Sequence, residues 1–495
     1  MPTRIRSLPD DRRAGAPAPL HAAHRKIHPK AVRGRFRTIK WRLSAGFLAL
    51  YLVAPWLRWD RGPGLPDQAV LVDLAAQRVH IFGIGLWPQH IHYLTGAMIL
   101  AAVGLFLVTA LAGRVWCGYA CPQTVWTDLF VLIESWFEGD RGARIRRDAG
   151  PRTLAWAARK AAKHAVWMLV AAVTGGTAIL YFVDAPGCLA ALARFDASPV
   201  VLGWMLALAT GTYVMAGAMR EQMCRYVCPW PRFQAAMLDD ESLVVTYQDG
   251  RGEGRAPLRK DRPWEARRGA GQGDCIDCGA CVHVCPAGID IRDGLQMDCI
   301  SCGLCIDACD DVMARIGRPG GLIRYDSPAA QAVRSAGTAG AVSHTPAPHR
   351  RVRPRIVAYA VLLALVAGVM AAGLLGEPAV ALVVLRDRAP LHVTLADGSI
   401  QNSYTVKIAN MSRRPQTYRL AVSGIDGLTV TGAGAQAGAD GGLALSAGPD
   451  AVQTYRIHVR SASATIPAAA TPLRFTLTGG PDAGAGEAGT VFLAP

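Results

Sequence analysis

Long apolar blocks, charged intervals and finally a regular alternation divide this chain. Segments 94–112, 165–183, 199–219 and 356–375 each run 19 to 21 residues without a charge. That is close to the roughly 20 residues with which a helix crosses hydrocarbon, so each predicts a membrane span. A fifth span is predicted at 43–57, which is shorter and has Trp41, Trp56 and Trp59 near its ends. The stretch 115–137 is nearly as apolar, but Asp128, Glu134 and Pro122 interrupt it, and it predicts an interfacial or re-entrant helix rather than a crossing. Past Glu377 the period changes to two: Tyr404, Val406, Ile408; Tyr418, Leu420, Val422; Tyr455, Ile457, Val459; Leu473, Phe475, Leu477. Such runs, separated by Gly, Asn, Asp and Pro, describe an all-β sandwich.

The fold class expected is therefore a multi-domain membrane protein: an α-helical bundle of about five spans, a cysteine-rich segment, and a C-terminal β domain. Its divisions are a basic tail (1–42), a membrane region with four spans and the interfacial segment (43–219), the cysteine-rich domain (220–326), a linker rich in Ala, Gly, Ser and Pro (327–355), the last span (356–375) and the β domain (377–495).

Charge sets the expected orientation. The net charge of +16 alone would suit nucleic acid or an anionic membrane surface, and its distribution favours the membrane. Residues 1–42 hold twelve Lys or Arg against two acids, with no early apolar core of a cleavable signal. Loops 58–91 and 184–198 carry three and one basic residues, whereas 139–163 carries eight. Positive loops stay inside, so the N-terminus and segment 220–355 are expected in the cytoplasm and the C-terminus outside, with Arg350, Arg351, Arg353 and Arg355 pinning the inner end of the last span. No nucleic-acid partner is expected.

Eight of thirteen cysteines lie between 275 and 309, in CIDCGACVHVCP and CISCGLCIDACD. Two tandem CxxCxxCxxxC runs are the pattern that holds two [4Fe-4S] clusters in bacterial ferredoxins, the fourth cysteine of each run crossing to the other cluster. Cys275, Cys278, Cys281 and Cys309 are thus expected at one cluster, and Cys299, Cys302, Cys305 and Cys285 at the second. Gly279 and Gly303 allow the tight backbone. Asp310 stands where the first run has Pro286. Zinc sites take four ligands apiece and a disulfide framework suits oxidising compartments, so both fit these eight thiols less well.

Four further cysteines form two CxxxCP pairs, Cys117 with Cys121 and Cys224 with Cys228, each just after a predicted span that ends inside. The topology gathers them at one membrane face, where soft thiolates could hold copper as Cu(I) or serve redox chemistry; the alternative is that they simply pack. Met215, Met219 and Met223 lead into the second pair at helical spacing and read as core. Cys188, His90, His92, His392 and His458 are assigned no role.

Taken together, GRVWCGYACPQTVWTD, REQMCRYVCPWPRFQ, the double cysteine run, GLIRYD, DGSIQNSYTVKIAN and the upstream AVLVDLAAQRVHIFGIGLWPQ resemble the FixG/RdxA/CcoG family of cytochrome c oxidase accessory proteins. The resemblance runs from about residue 40 to the end. It implies a bacterial inner-membrane protein for assembly of the cbb-type cytochrome c oxidase, associated with reduction of Cu(II) to Cu(I), with an immunoglobulin-like extracytoplasmic domain. All eight ferredoxin-type cysteines carry over as cluster ligands, and Cys117, Cys121, Cys224 and Cys228 as the family's membrane thiols. Implied partners are copper ions, oxidase subunits or copper chaperones, the lipid bilayer and a separate electron donor, since no nucleotide-binding fingerprint is present. Two other functions fit the same residues: an electron relay to quinone or a partner enzyme, and a non-enzymatic assembly scaffold.

Overall fold

The computed structural model describes residues 26–336 and 352–495, apart from 63, 260–263, 377, 413, 438–441, 463–465, 467 and 480–483. Most of the expected basic tail, part of the linker, Arg350, Arg351 and Glu377 lie outside the described residues. The chain divides into two compact units, the first running through Gly368 except for Arg61–Leu65, the second made of those five residues and Val369–Pro495.

Among the described residues, four helices are long and apolar enough to cross a membrane: Pro88–Ala112, Leu154–Ile179, Pro199–Met219 and Pro354–Leu375. They match four of the five predicted spans. The expected 165–183 segment is the apolar part of a helix that begins eleven residues earlier. The segment predicted at 43–57 is instead a helix over Arg35–Val53 followed by a short 3-10 turn, Ala54–Trp56. Its basic first turns are drawn into the helix by distant groups. Asp307 accepts the Phe36 and Arg37 backbone N–H at 3.2 and 2.8 Å, satisfying two donors that a helix start leaves open. Asp128 pairs with Lys40 at 2.9 Å and Arg37 at 3.2 Å.

The 115–137 stretch forms a π-helical turn, Trp116–Ala120, and then a helix over Pro122–Glu138 with proline in its first turn, where its missing N–H costs nothing. The acids that argued against a crossing are buried and paired. Asp128 is held by Lys40 and Arg37, and Glu134 meets Arg220 at 2.9 Å and Arg144 at 3.1 Å; just past that stretch, Glu138 meets Lys160 and Lys163 at 2.9 Å each. A buried carboxylate without such partners would be strongly disfavoured. Trp167 closes the cluster, stacking on Phe130 and donating its indole N–H to the Phe130 carbonyl at 3.0 Å.

The cysteine-rich segment is closed by strand Val244–Tyr247 pairing antiparallel with Ile323–Asp326, the GLIRYD motif. Its core combines Val245, Ile289, Ile291, Ile306, Met313, Leu322 and Ile323 with buried cysteines. The expected linker opens with a helix, Pro328–Ala336. A three-stranded meander, Val70–Asp73, Arg78–Ile81 and Ile84–Leu86, occupies the 58–91 loop; its strands are too short for alternation to reveal.

The second unit has two antiparallel sheets. One runs Thr429–Gly432, Ala451–Ser461, Ile400–Asn410, Val380–Arg386; the other Gln436–Ala437, Leu443–Ala447, Gln416–Ser423, Ala470–Thr478, Ala485–Leu493. The predicted alternating positions face inward. Tyr404, Val406, Ile408, Tyr418, Leu420, Ile457, Val459, Phe475 and Leu477 have no exposed surface, and Tyr404 meets Phe475 across the core at 5.2 Å. His458 sits on a strand, its ring bonded to the Ser403 hydroxyl.

Candidate functional site

The two cysteine runs repeat one local conformation. The residue before the second cysteine is left-handed at Asp277 (φ 52°) and Ser301 (φ 50°), and the glycine after it is left-handed at Gly279 (φ 66°) and Gly303 (φ 72°). At Gly303 the lack of a side chain is also steric, because a Cβ would lie 2.8 Å from the Phe36 ring. From these glycines start the helices Ala280–Val284 and Leu304–Arg315, which carry the third cysteine of each run. The first helix ends before Cys285–Pro286. The second continues through Cys309, and Asp310, which stands where the first run has Pro286, accepts the Gly321 N–H on its carboxylate at 2.7 Å.

The thiols sort into two sets. Cys275, Cys278, Cys281 and Cys309 line one cavity together with Tyr247 and Arg292. Cys285 lies by Cys302 and Cys299, and Cys305 by Cys302, Cys299 and Cys285. Each run's fourth cysteine thus sits with the other run's first three. Burial, reinforced by neighbouring sulfurs, pushes Cys281 and Cys299 up to about 11 and Cys285 to about 12. As free thiols they stay protonated at neutral pH, and cationic iron is what would draw off the protons. Backbone N–H groups of Ala287 and Ile289 face Cys285, and that of Ser301 faces Cys299, ready to bond anionic sulfur. Cys278 is the exposed member of the eight.

The CxxxCP pairs are structural duplicates. Gly113 (φ 65°) and Arg220 (φ 43°) stand at the same place before each motif, both left-handed. Each motif then forms a π turn, Trp116–Ala120 or Met223–Val227, closed by matching bonds: Cys121 N–H to the Trp116 carbonyl at 2.9 Å, Cys228 N–H to the Met223 carbonyl at 2.8 Å. Gln123 clasps the halves, donating to the Met215 and Arg220 carbonyls. The four thiols come together: Cys117 interacts electrostatically with Cys121 and Cys228, and Cys224 with all three others. Burial first, and then these neighbours, push Cys117 up to about 11 and Cys224 to about 12. The Cys117 thiol donates to buried Gln234 at 3.0 Å. Met215 is exposed and joins no sulfur cluster, and Cys188 stands apart on Ala185–Ala193.

Both motifs grip the loop that carries the second ferredoxin set. Arg114 donates to the Met297 carbonyl, Tyr119 to the Cys302 carbonyl at 2.8 Å, and Arg225 pairs with Asp298. Gly118 touches that loop so closely that a Cβ would sit 2.6 Å from the Ile300 carbonyl oxygen and 3.0 Å from the Cys302 Cα. Sequence reasoning singled out none of Gly118, Tyr119, Arg114 or Gln234. Gly118 is the one signal that was available, since it stands where the duplicate motif has Arg225. Among the described residues, no three His, Cys, Asp or Glu side chains stand close enough to hold a single metal ion.

Three family models match the chain: a 4Fe-4S dicluster domain over residues 219–328, a 4Fe-4S binding domain over 94–143, and an IG-like fold at the C-terminal of FixG over 370–495. The chain is 48% identical over 472 residues to Protein RdxA of Cereibacter sphaeroides, covering 94% of this chain and 96% of that protein. It is 45% identical to the nitrogen fixation protein FixG of Rhizobium meliloti, covering 89% and 87%. Protein RdxB of Cereibacter sphaeroides is 46% identical, with 82% and 83% covered.

Proposed function

The chain belongs to the FixG/RdxA family, and from that premise we propose that it is a membrane-bound iron–sulfur electron-transfer protein for biogenesis of the cbb-type cytochrome c oxidase, reducing Cu(II) to Cu(I) for delivery to that oxidase. Cys275, Cys278, Cys281 and Cys309 hold one [4Fe-4S] cluster, and Cys285, Cys299, Cys302 and Cys305 the other. The buried thiols, the inward N–H groups and the left-handed turns fit such clusters. When bound, each supplies one-electron redox chemistry.

The observation that carries the reading is the packing of the first CxxxCP turn, through Gly118 and Tyr119, directly on the Cys302 loop. That contact favours one order of use. The exposed Cys278 side faces a soluble reductant, and the second set adjoins Cys117, Cys121, Cys224 and Cys228, at which Cu(II) accepts its electron. Each Cu(II) takes one electron, supplied by a partner reductant such as a flavoprotein. A cavity beside Cys224 is lined by Glu221, Asp298 and Met297 together with Lys40, Arg114, Arg220 and Arg225. The neighbouring thiols are soft ligands that suit the Cu(I) product.

The excess of basic residues in 139–163 supports placing the ferredoxin segment in the cytoplasm of a bacterial inner membrane, and the β domain outside, where oxidase subunits or copper chaperones would meet it. The test is stoichiometric: anaerobic, pre-reduced protein mixed with Cu(II) should yield Cu(I) matching the electrons lost by the clusters. Clusters that stay reduced in the presence of Cu(II) would overturn the reading.

A further inference from the structure

We propose that the Tyr247 hydroxyl is a hydrogen-bond donor to the Cys275 sulfur of the first [4Fe-4S] cluster, and that this bond holds that cluster's reduction potential above the value its four thiolates would give alone. This deepens the reading above and rests on it for the presence of the cluster, not for copper.

Tyr247 ends the strand Val244–Tyr247, opposite Ile323 of the GLIRYD strand. It is 5% exposed and lines the same cavity as Cys275, Cys278, Cys281 and Cys309. Its hydroxyl is buried and, among the described residues, has no hydrogen-bond partner. Leaving such a group unsatisfied is costly, so a partner belongs there. Cys275 is the side chain that acts on it most strongly, ahead of Glu253 and Arg255. A thiol is a weak acceptor, whereas the thiolate that binds iron is a strong one, so the bond is completed when the cluster is in place.

Both partners are held in place. The Tyr247 ring lies so close over Gly252 that a Cβ there would overlap the hydroxyl and the ring edge. Gln331 donates to the Tyr247 carbonyl at 2.8 Å, and the Arg255 guanidinium sits 5.5 Å from the ring centre. Buried Arg267 donates to the Cys275 carbonyl at 2.8 Å. The tyrosines beside the second set are engaged differently: Tyr119 donates to the Cys302 carbonyl at 2.8 Å and Tyr325 to the Ser301 carbonyl. A phenol keeps its proton at neutral pH, so Tyr247 acts as a donor throughout. Reduction adds negative charge to the cluster and its sulfurs, so a bond donated to sulfur favours the reduced form and raises the potential.

The test is a potentiometric EPR titration of the full-length protein, purified anaerobically in detergent, as wild type and as Tyr247→Phe, which removes the hydroxyl and fills the same space. Iron should stay at about 8 atoms per chain in both. At a fixed potential the reduced-to-oxidised ratio of one cluster should fall about tenfold in the variant, a midpoint about 59 mV lower, and it should be the cluster whose signal Cys309→Ser disturbs. A merely structural role would not give that sign, since loosened packing admits water, which favours the reduced cluster and raises the potential. An unmoved midpoint, a rise, or a fall confined to the other cluster overturns the inference. Should Tyr247→Phe lose iron, the wild-type chain carrying 3-fluorotyrosine, a stronger O–H donor, decides: the same midpoint should rise, and an unchanged one overturns the inference. Wild-type protein without iron would refute the cluster reading as well, whereas loaded clusters with unmoved midpoints refute this inference alone.

Discussion

Replacing Gly118 by alanine tests the contact on which the proposed electron delivery depends. A Cβ there would meet the Ile300 carbonyl oxygen at 2.6 Å, the Cys302 Cα at 3.0 Å and the Ser301 carbonyl oxygen at 3.1 Å. All three are backbone atoms, so no side chain can swing aside. Restoring ordinary contact at 3.4 Å requires the thiol turn and the Cys302 loop to part by up to about 0.8 Å. Overpacking of this kind costs about 1–3 kcal/mol. The variant should therefore unfold at lower temperature, and Cu(II) should reoxidise its reduced clusters severalfold more slowly, with iron content unchanged. Gly46→Ala is the control, since a Cβ at Gly46 meets nothing within 4 Å and helical alanine is favoured. Stopped-flow bleaching recovery and thermal unfolding of both variants are the assays. A Gly118→Ala protein with the wild-type reoxidation rate would refute the idea that this contact matters for transfer.

Other perturbations reach other parts of the account. Asp307→Ala removes the acceptor for the Phe36 and Arg37 N–H groups and should cost about 0.5–2 kcal/mol in chemical denaturation, with Asp307→Asn recovering part of it. Cys309→Ser should disturb the cluster held with Cys275, Cys278 and Cys281, and Cys285→Ser the other. EPR of the two variants should therefore differ in which signal survives, and loss of the same signal from both would contradict the crossed ligand sets. Phe475→Ala, at a side chain with no exposed surface in the β sandwich, should destabilise that unit by about 3–5 kcal/mol and leave iron content alone.

Much of this architecture was legible because local pattern and distant packing agree. Tyr404, Val406 and Ile408 alternate in sequence and all face one core, so period two sufficed to recognise a strand. The cysteine spacing of 275–309 encodes its own loop closure, down to the glycines at 279 and 303. What escaped was decided by partners far along the chain. The helix predicted to begin near residue 43 starts at Arg35 because Asp307, some 270 positions away, caps it and Asp128 neutralises Lys40. Asp128 and Glu134 looked out of place in an apolar stretch because their cations come from other elements. Gly118 offered one local cue, glycine where the duplicate motif has Arg225, but what makes it matter is how closely a loop near residue 300 approaches it.

The most direct test of the central claim counts electrons. Protein reduced anaerobically until both ferredoxin clusters bleach, and freed of reductant, is mixed with Cu(II) while cluster reoxidation and chelated Cu(I) are followed together. The account predicts one Cu(I) per electron recovered from the clusters in wild-type protein, with the coupling lost when Cys117, Cys121, Cys224 and Cys228 are serine. Undiminished copper reduction by that four-serine variant, with its ferredoxin clusters intact, would contradict it.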